Sequence, residues 1–284
     1  MSSFSSLTFL SLNNVDVYDW PDDLLSGMNL LDEFHLKNVS RVQRETPKQL
    51  EIGENFFDQN KKLKTIGISG KSNIKFGEKV FQNLKELEKL SLVEGSISCI
   101  PLLVSENLKL FNISENDLTG LPFDVFVNVS KLKVVDLSGN RFKDFPEDLF
   151  LFANNLQLES VLFENDRFNL TRHFPKNFFE NNCKLKSFSY SMAGNSNGSK
   201  AHFPSDLFCN YTETETETKK ETLSELKIAN SGVDWTDVKD LIKGLSNLKV
   251  LDVRGNNIKT IHISDLPKNL SKLIVRENED FECK

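Results

Sequence analysis

This sequence holds little of what metal, redox or acyl-transfer chemistry requires. Four cysteines, Cys99, Cys183, Cys209 and Cys283, stand far apart with no CxxC pair, which leaves no metal-ligand or redox spacing. Four histidines, His35, His173, His202 and His262, are scattered without a His-x-x-x-His pairing. There is no Gly-x-Ser-x-Gly elbow for a hydrolase nucleophile and no Gly-x-x-x-x-Gly-Lys loop to cradle phosphates. Asp and Glu are common but unpatterned. Nowhere do roughly 18 apolar residues follow one another, so no membrane helix is expected. Met1-Ser2-Ser3-Phe4 opens the chain without a basic segment or a long apolar stretch, so no signal peptide is expected either. A basic excess is also missing: 35 Lys and Arg against 41 Asp and Glu give a net charge of -6, which weighs against general nucleic-acid binding. No catalytic site, cofactor or metal follows from these residues, and an enzyme is not expected.

What the chain has is repetition. The pattern Leu-x-x-Leu-x-Leu-x-x-Asn-x-Leu recurs, clearest in Leu108, Phe111, Ile113, Asn116, Leu118; in Leu132, Val135, Leu137, Asn140, Phe142; and in Leu248, Leu251, Val253, Asn256, Ile258. Positions 4 and 6 lie two apart and face the same side of an extended strand, while position 5 faces the other. Val135 and Leu137 are therefore expected inward and Asp136 outward. At position 9 an asparagine amide can bond to the backbone of a tight turn. No single turn buries its own apolar face, so the turns must stack. The spacing predicts an α/β leucine-rich repeat solenoid: a curved parallel sheet inside, an irregular or short-helical convex side outside.

First-position residues are Leu7, Leu31, Leu63, Leu87, Leu108, Leu132, Leu158, Leu185, Leu223, Leu248 and Leu270. That predicts about eleven turns, roughly 50 Å long at a strand spacing of about 4.8 Å. Asn116, Asn140, Asn256 and Asn278 fill position 9; Asp166 and Ser231 are partial substitutes; Val15, Val39, Lys71, Gly95 and Ala193 are not. A second period lies on the return side, apolar, Pro or Gly, two polar residues, apolar, Phe, as in Phe76-Gly77-Glu78-Lys79-Val80-Phe81 and Phe174-Pro175-Lys176-Asn177-Phe178-Phe179. Pro or Gly turns the chain and the last Phe fills the core under the convex side, which helps explain 23 Phe. The array is read as 1–277 without an N-terminal cap, and 278–284 as the opening of a truncated cysteine-rich cap.

Seven Asn-x-Ser/Thr acceptor sites occur, at Asn38, Asn112, Asn128, Asn169, Asn197, Asn210 and Asn269, a mild excess over composition alone. Asn112 falls at strand position 5, so sugar there would block the concave face locally. Cys183 and Cys209 take neighbouring places on successive turns, as a disulfide or as two free thiols. The segment between Leu185 and Leu223 carries the polar stretch 191–199 and the Thr-Glu tract 212–218, either a plain surface loop or one that helps recognise a ligand. Inner-face candidates include Lys64, Lys89, Lys109, Lys133, Asp136, Lys186, Lys249, Asp252 and Arg254. Lys at position 2 of several turns either steers an acidic partner or keeps an exposed sheet soluble.

The Leu and Phe repeats with their Pro-x-x-apolar-Phe return stretch resemble Toll and Toll-like receptor ectodomains, particularly insect-type Toll. The closing Asn278-Glu279-Asp280-Phe281-Glu282-Cys283 looks like the opening of the cap that follows such repeats, with Glu279 where the cap usually has Pro. The resemblance implies a single-pass receptor whose ectodomain binds a protein ligand such as a Spätzle-like cystine-knot cytokine, or a microbial molecule. It also implies dimerisation, innate immune or developmental signalling, and a membrane segment outside this chain. Placement would then be the extracellular side of the plasma membrane. Two other expectations stand beside it: a secreted or matrix adhesion or scaffold protein, and an intracellular repeat adaptor or inhibitor.

Overall fold

The computed structural model describes residues 4–17, 20–38, 40–41, 50–70, 73–122, 125–143, 150, 157–166, 172–193, 200–208, 222–279 and 281–283. Eleven strands form one parallel sheet, and their spatial order is their chain order. They are β1 (Phe9–Asn13), β2 (Glu33–Lys37), β3 (Thr65–Ser69), β4 (Lys89–Val93), β5 (Leu110–Asn112) and β6 (Val134–Asp136). Then follow β7 (Ser160–Asp166), β8 (Ser187–Met192), β9 (Glu225–Ala229), β10 (Val250–Asp252) and β11 (Lys272–Ile274). Equivalent repeat positions face one another: Leu110, Phe111 and Asn112 pair with Val134, Val135 and Asp136, and these with Ser160, Val161 and Leu162.

The alternation expected from the spacing is observed. Val135 and Leu137 are buried while Asp136 between them is half-exposed. The nine first-position leucines from Leu31 to Leu248 are at most 4% exposed, whereas Leu7 and Leu270 at the two ends are only partly buried. Burying one such leucine contributes about 2 kcal/mol, and an interior leucine needs a turn on each side.

Position 9 works across turns as well as within its own. Asn140 Nδ2 donates to Leu137 O and Ser138 O of its own turn and to Ile113 O of the turn before, while its Oδ1 accepts Leu118 N. Asn116 does the same with Leu92 O, Gly95 N and Ile97 N, so the turn that has Gly95 at this position is held by the next turn's asparagine. Asn256 and Asn278 repeat the pattern. Position 8 carries a signal absent from the sequence reading. Asn14, Asn38, Glu94, Glu115, Asn165, Asn230 and Glu277 all take φ between 49° and 62°, and Gly139 and Gly255 lie at 66°. This left-handed residue turns the chain out of the sheet, and glycine adopts it without steric cost.

On the return side Phe57, Phe81, Phe126, Phe150, Phe179 and Phe208 are buried and stack along the axis. Phe126 and Phe150 lie 5.5 Å apart at 9°, Phe150 and Phe179 5.2 Å at 27°, and Phe179 and Phe208 5.8 Å at 8°. The spine skips the short turn between Leu87 and Leu108, where buried Ser105 donates to Lys85 O and Leu87 O. After Leu223 a helix, α1 (Trp235–Ile242), takes over this side. Asp234 caps it by accepting from Thr236 N and Asp237 N, and Val238, Leu241 and Ile242 turn inward. Among the described residues the convex side otherwise has one 3-10 turn, Ile263–Asp265, and short parallel pairs of strands. One of those pairs joins Thr260–Ile261 to Glu282–Cys283, so the chain near Cys283 still runs as a return strand of the array.

Candidate functional site

A solenoid of this kind offers its concave sheet face, and that face has three zones. In the first, His35 Nε2 lies 3.3 Å from Glu33 and the His35 ring packs 5.6 Å from Phe9. Gly67 in the next strand makes room for it, since a Cβ there would sit 2.7 Å from His35 Nδ1. In the second, Asn112 and Asp136 stand side by side. Each folds back on its own strand exit, accepting from Ser114 N at 2.9 Å and Ser138 N at 3.0 Å.

The third zone is a polar network over β7 to β10. Glu164 accepts from Lys227 Nζ at 2.7 Å and from Ser189 Oγ at 2.6 Å. Burial pushes the Glu164 carboxyl up, but the Lys227 and Ser189 bonds and the charges of Lys227 and Arg254 outweigh it, and the net displacement is downward. The Arg254 guanidinium forks onto Asp252, whose side chain is 6% exposed. Asp252 was expected on the displayed surface. It is buried instead, because Arg254 covers it and the Arg254 N–H also binds its carboxylate.

The lysine row at position 2 is not a bare basic stripe. Lys64 pairs with Asp32 at 3.1 Å and Lys109 with Glu88 at 2.8 Å, while Glu159 bridges Lys133 at 2.9 Å and Lys186 at 2.7 Å. Each partner is the same repeat position one turn away, so ion pairs join neighbouring turns along this rim, while Lys109 and Lys133 stand on successive turns with like charge. Hydrogen bonds from Lys186 and then Lys133 hold the Glu159 carboxyl down at about 2, far below the usual carboxylate range. The Asp32 bond and charge raise Lys64. Lys89 and Lys249 are exposed; the Lys249 backbone N–H donates to Ser224 O, and Ser271 N and Oγ donate to Lys249 O, so these serines meet its backbone rather than its charge.

The glycosylation sequons spread over several faces. Asn38, Asn128 and Asn269 are exposed and Asn112 is half-buried; Asn38 Nδ2 donates to Asn14 Oδ1, and Asn269 Nδ2 to Ser246 O. Asn169, Asn197, Asn210, the 194–199 stretch and the Thr-Glu tract lie outside the described residues. Cys183 is bonded in a disulfide. Cys209, its expected partner, lies outside the described residues, but its neighbour Phe208 pairs with Phe179 in a parallel bridge, and Cys183 and Phe208 border one cavity. Cys99 is free and exposed.

One grouping was invisible to sequence reasoning. His173 and His202 stack on the return side with ring centroids 4.6 Å apart and planes at 7°. Their separation along the chain hides the pairing; only the register of two successive return segments reveals it.

Known proteins carry the same frame. The leucine-rich repeat family model matches residues 131–152 and 247–278. The chain is 23% identical to mouse Toll-like receptor 7 over 283 residues, covering 93% of this chain and 25% of the receptor. It is 27% identical to Chaoptin of Drosophila melanogaster over 51% of this chain and 11% of Chaoptin. Osteomodulin of Rattus norvegicus is 21% identical over 64% of this chain and 47% of its own length. The chain thus spans under half the length of these relatives. Among solved structures, the Drosophila Toll–Spätzle complex superposes with TM-score 0.63 at 18% identity, over 95% of this chain and 36% of that one. The APL1 leucine-rich repeat domain also superposes at 0.63, with 17% identity over 93% of this chain and 61% of that one. The chain thus folds as a leucine-rich repeat solenoid and is similar, at low identity, to mouse Toll-like receptor 7, Chaoptin and osteomodulin.

Proposed function

We propose that this chain is a ligand-binding stretch of a Toll-like receptor ectodomain that signals in innate immunity or development. The observation that carries this reading is the relation to Toll-like receptor 7 along 93% of the chain. Toll, whose complex with Spätzle is solved, supports the same frame. The ligand is a protein, in the first instance a cystine-knot cytokine of the Spätzle kind, seated on the concave face or on a lateral rim. A second receptor copy completes the signalling pair. Binding without bond chemistry suits a surface whose charges are satisfied within the sheet. Cys183 in a disulfide fits an oxidising compartment, hence the extracellular side of the plasma membrane, and disfavours the intracellular adaptor. The disulfide joins Cys183 to Cys209, the exposed sequons bear sugar, and 278–284 opens a cysteine-rich cap.

The relation to osteomodulin supports a second reading, a secreted matrix protein. One experiment separates the two. The full chain is immobilised and a purified Spätzle-type cystine-knot dimer is passed over it, alongside the variant Ser91→Arg, which sets a bulky cation on the half-buried concave floor. Saturable binding, weakened about tenfold or more by the substitution, is the expected result. Binding to purified matrix fibrils with none to the cystine-knot dimer would replace the receptor reading with the matrix one.

A further inference from the structure

The histidine pair on the return side belongs to neither the concave face nor the charged rim. Arg172–His173 and Ala201–His202 form a two-residue parallel ladder in which His173 stands opposite His202. Strand alternation sends the next residues the other way. Phe174 and Phe203 stack at 4.9 Å and 19°, and Phe174 is 5% exposed. Phe174 N–H donates to His202 O at 3.0 Å. The inward aromatic pair and this bond fix the backbone, so both imidazoles project outward from neighbouring strands, exposed and parallel. Lys200, two residues before His202, is neutralised by Asp237 at 2.6 Å and Asp234 at 3.4 Å, which lowers its repulsion of a second positive charge.

We propose that His173 and His202 form an open two-imidazole clip for a borderline divalent cation of the Zn2+ or Ni2+ class. Each neutral imidazole offers one unprotonated ring nitrogen, and imidazole suits zinc, copper and nickel. Metal–nitrogen distances of about 2.0–2.1 Å in tetrahedral geometry place the two nitrogens roughly 3.3 Å apart. Neighbouring strands lie about 4.8 Å apart, so rotating both rings about the Cβ–Cγ bond converges them on one ion. Among the described residues no cluster of three or more His, Cys, Asp or Glu is placed to hold a metal. The clip therefore supplies two ligands and leaves the remaining positions to water or to a donor from a partner. Hard cations that demand oxygen ligands are not accommodated. Because only neutral imidazole coordinates, acid releases the ion.

The test uses the whole chain carrying Cys99→Ser, which removes the exposed free thiol as a competing ligand. Calorimetric titration with Ni2+ or Zn2+ near pH 7.5 is expected to give one saturable site. His173→Gln and His202→Gln each weaken it about tenfold or more, while His35→Gln and His262→Gln leave it unchanged. In parallel, Ni2+ broadens the imidazole resonances of His173 and His202 ahead of the other two. Both mutated rings are exposed, so the fold tolerates their replacement. Absence of a saturable site up to about 1 mM ion, or an unchanged affinity in either variant of the pair, overturns the clip.

Discussion

Glu159 shows how one side chain can be set by its place in the stack. Two lysines from the turns on either side donate to it, and its carboxyl titrates at about 2 instead of 4.5. The folded state therefore favours the ionised form. This stability is present above the ordinary carboxylate pKa and is lost as pH falls toward 2. Glu159→Gln is expected to lower the denaturation midpoint at neutral pH, and the gap from the parent chain should close between roughly pH 4.5 and pH 2. Urea titrations across that range check it; a gap that stays constant with pH would show that these ion pairs contribute nothing through ionisation. The asparagines act on the same residue scale. Asn140 is 1% exposed and bonds with four backbone groups of two turns, each of which would cost about 1–3 kcal/mol if left buried and unpaired.

At the scale of elements, the return-side phenylalanine acts as a spacer between turns. Phe179 touches the rings of Phe150, Phe178, Phe188 and Phe208 within 5.8 Å and is fully buried. Phe179→Ala opens a cavity at the meeting point of three turns, with an expected loss of about 3–5 kcal/mol. Phe208→Ala, nearer the segment that contains the Thr-Glu tract, removes fewer ring contacts and is expected to cost less. Equal losses in thermal or chemical denaturation would argue that the stack does not transmit packing from turn to turn. α1 shows that the spine has a substitute: the Asp234 capping box and three inward apolar residues cover the same side with a helix.

Across the whole molecule, stability is a sum of turns and of the interfaces between them. Leu7, Leu10 and Leu12 at one end, and Leu270, Leu273 and Val275 at the other, are only partly buried, unlike their interior counterparts. Amide exchange is therefore expected to be fastest in β1 and β11 and slowest in the central strands β5 to β8, because end turns open without disturbing two interfaces. Exchange measured by mass spectrometry checks this, and uniform protection along the array would contradict it.

The repeat spacing by itself determined the parallel sheet, the eleven strands, which residues enter the core, and the role of Asn116, Asn140, Asn256 and Asn278. It could do so because a period of 2 along the strand and of about 24 along the chain fixes which side chains face inward. The left-handed column at position 8 was equally regular but mixed Asn, Glu and Gly, so composition hid it. Only the tertiary structure decided what happens between turns. It paired Lys64, Lys109, Lys133 and Lys186 of the lysine rim, since Asp32, Glu88 and Glu159 sit at the same repeat position as the lysines they bind. It buried Asp252 beneath Arg254 and gathered Glu164, Ser189 and Lys227 on the concave floor. It also brought His173 against His202 across turns of unequal length. Neighbours along the solenoid axis are separated by a whole turn of sequence, and insertions change that separation, so no local pattern records which side chains meet.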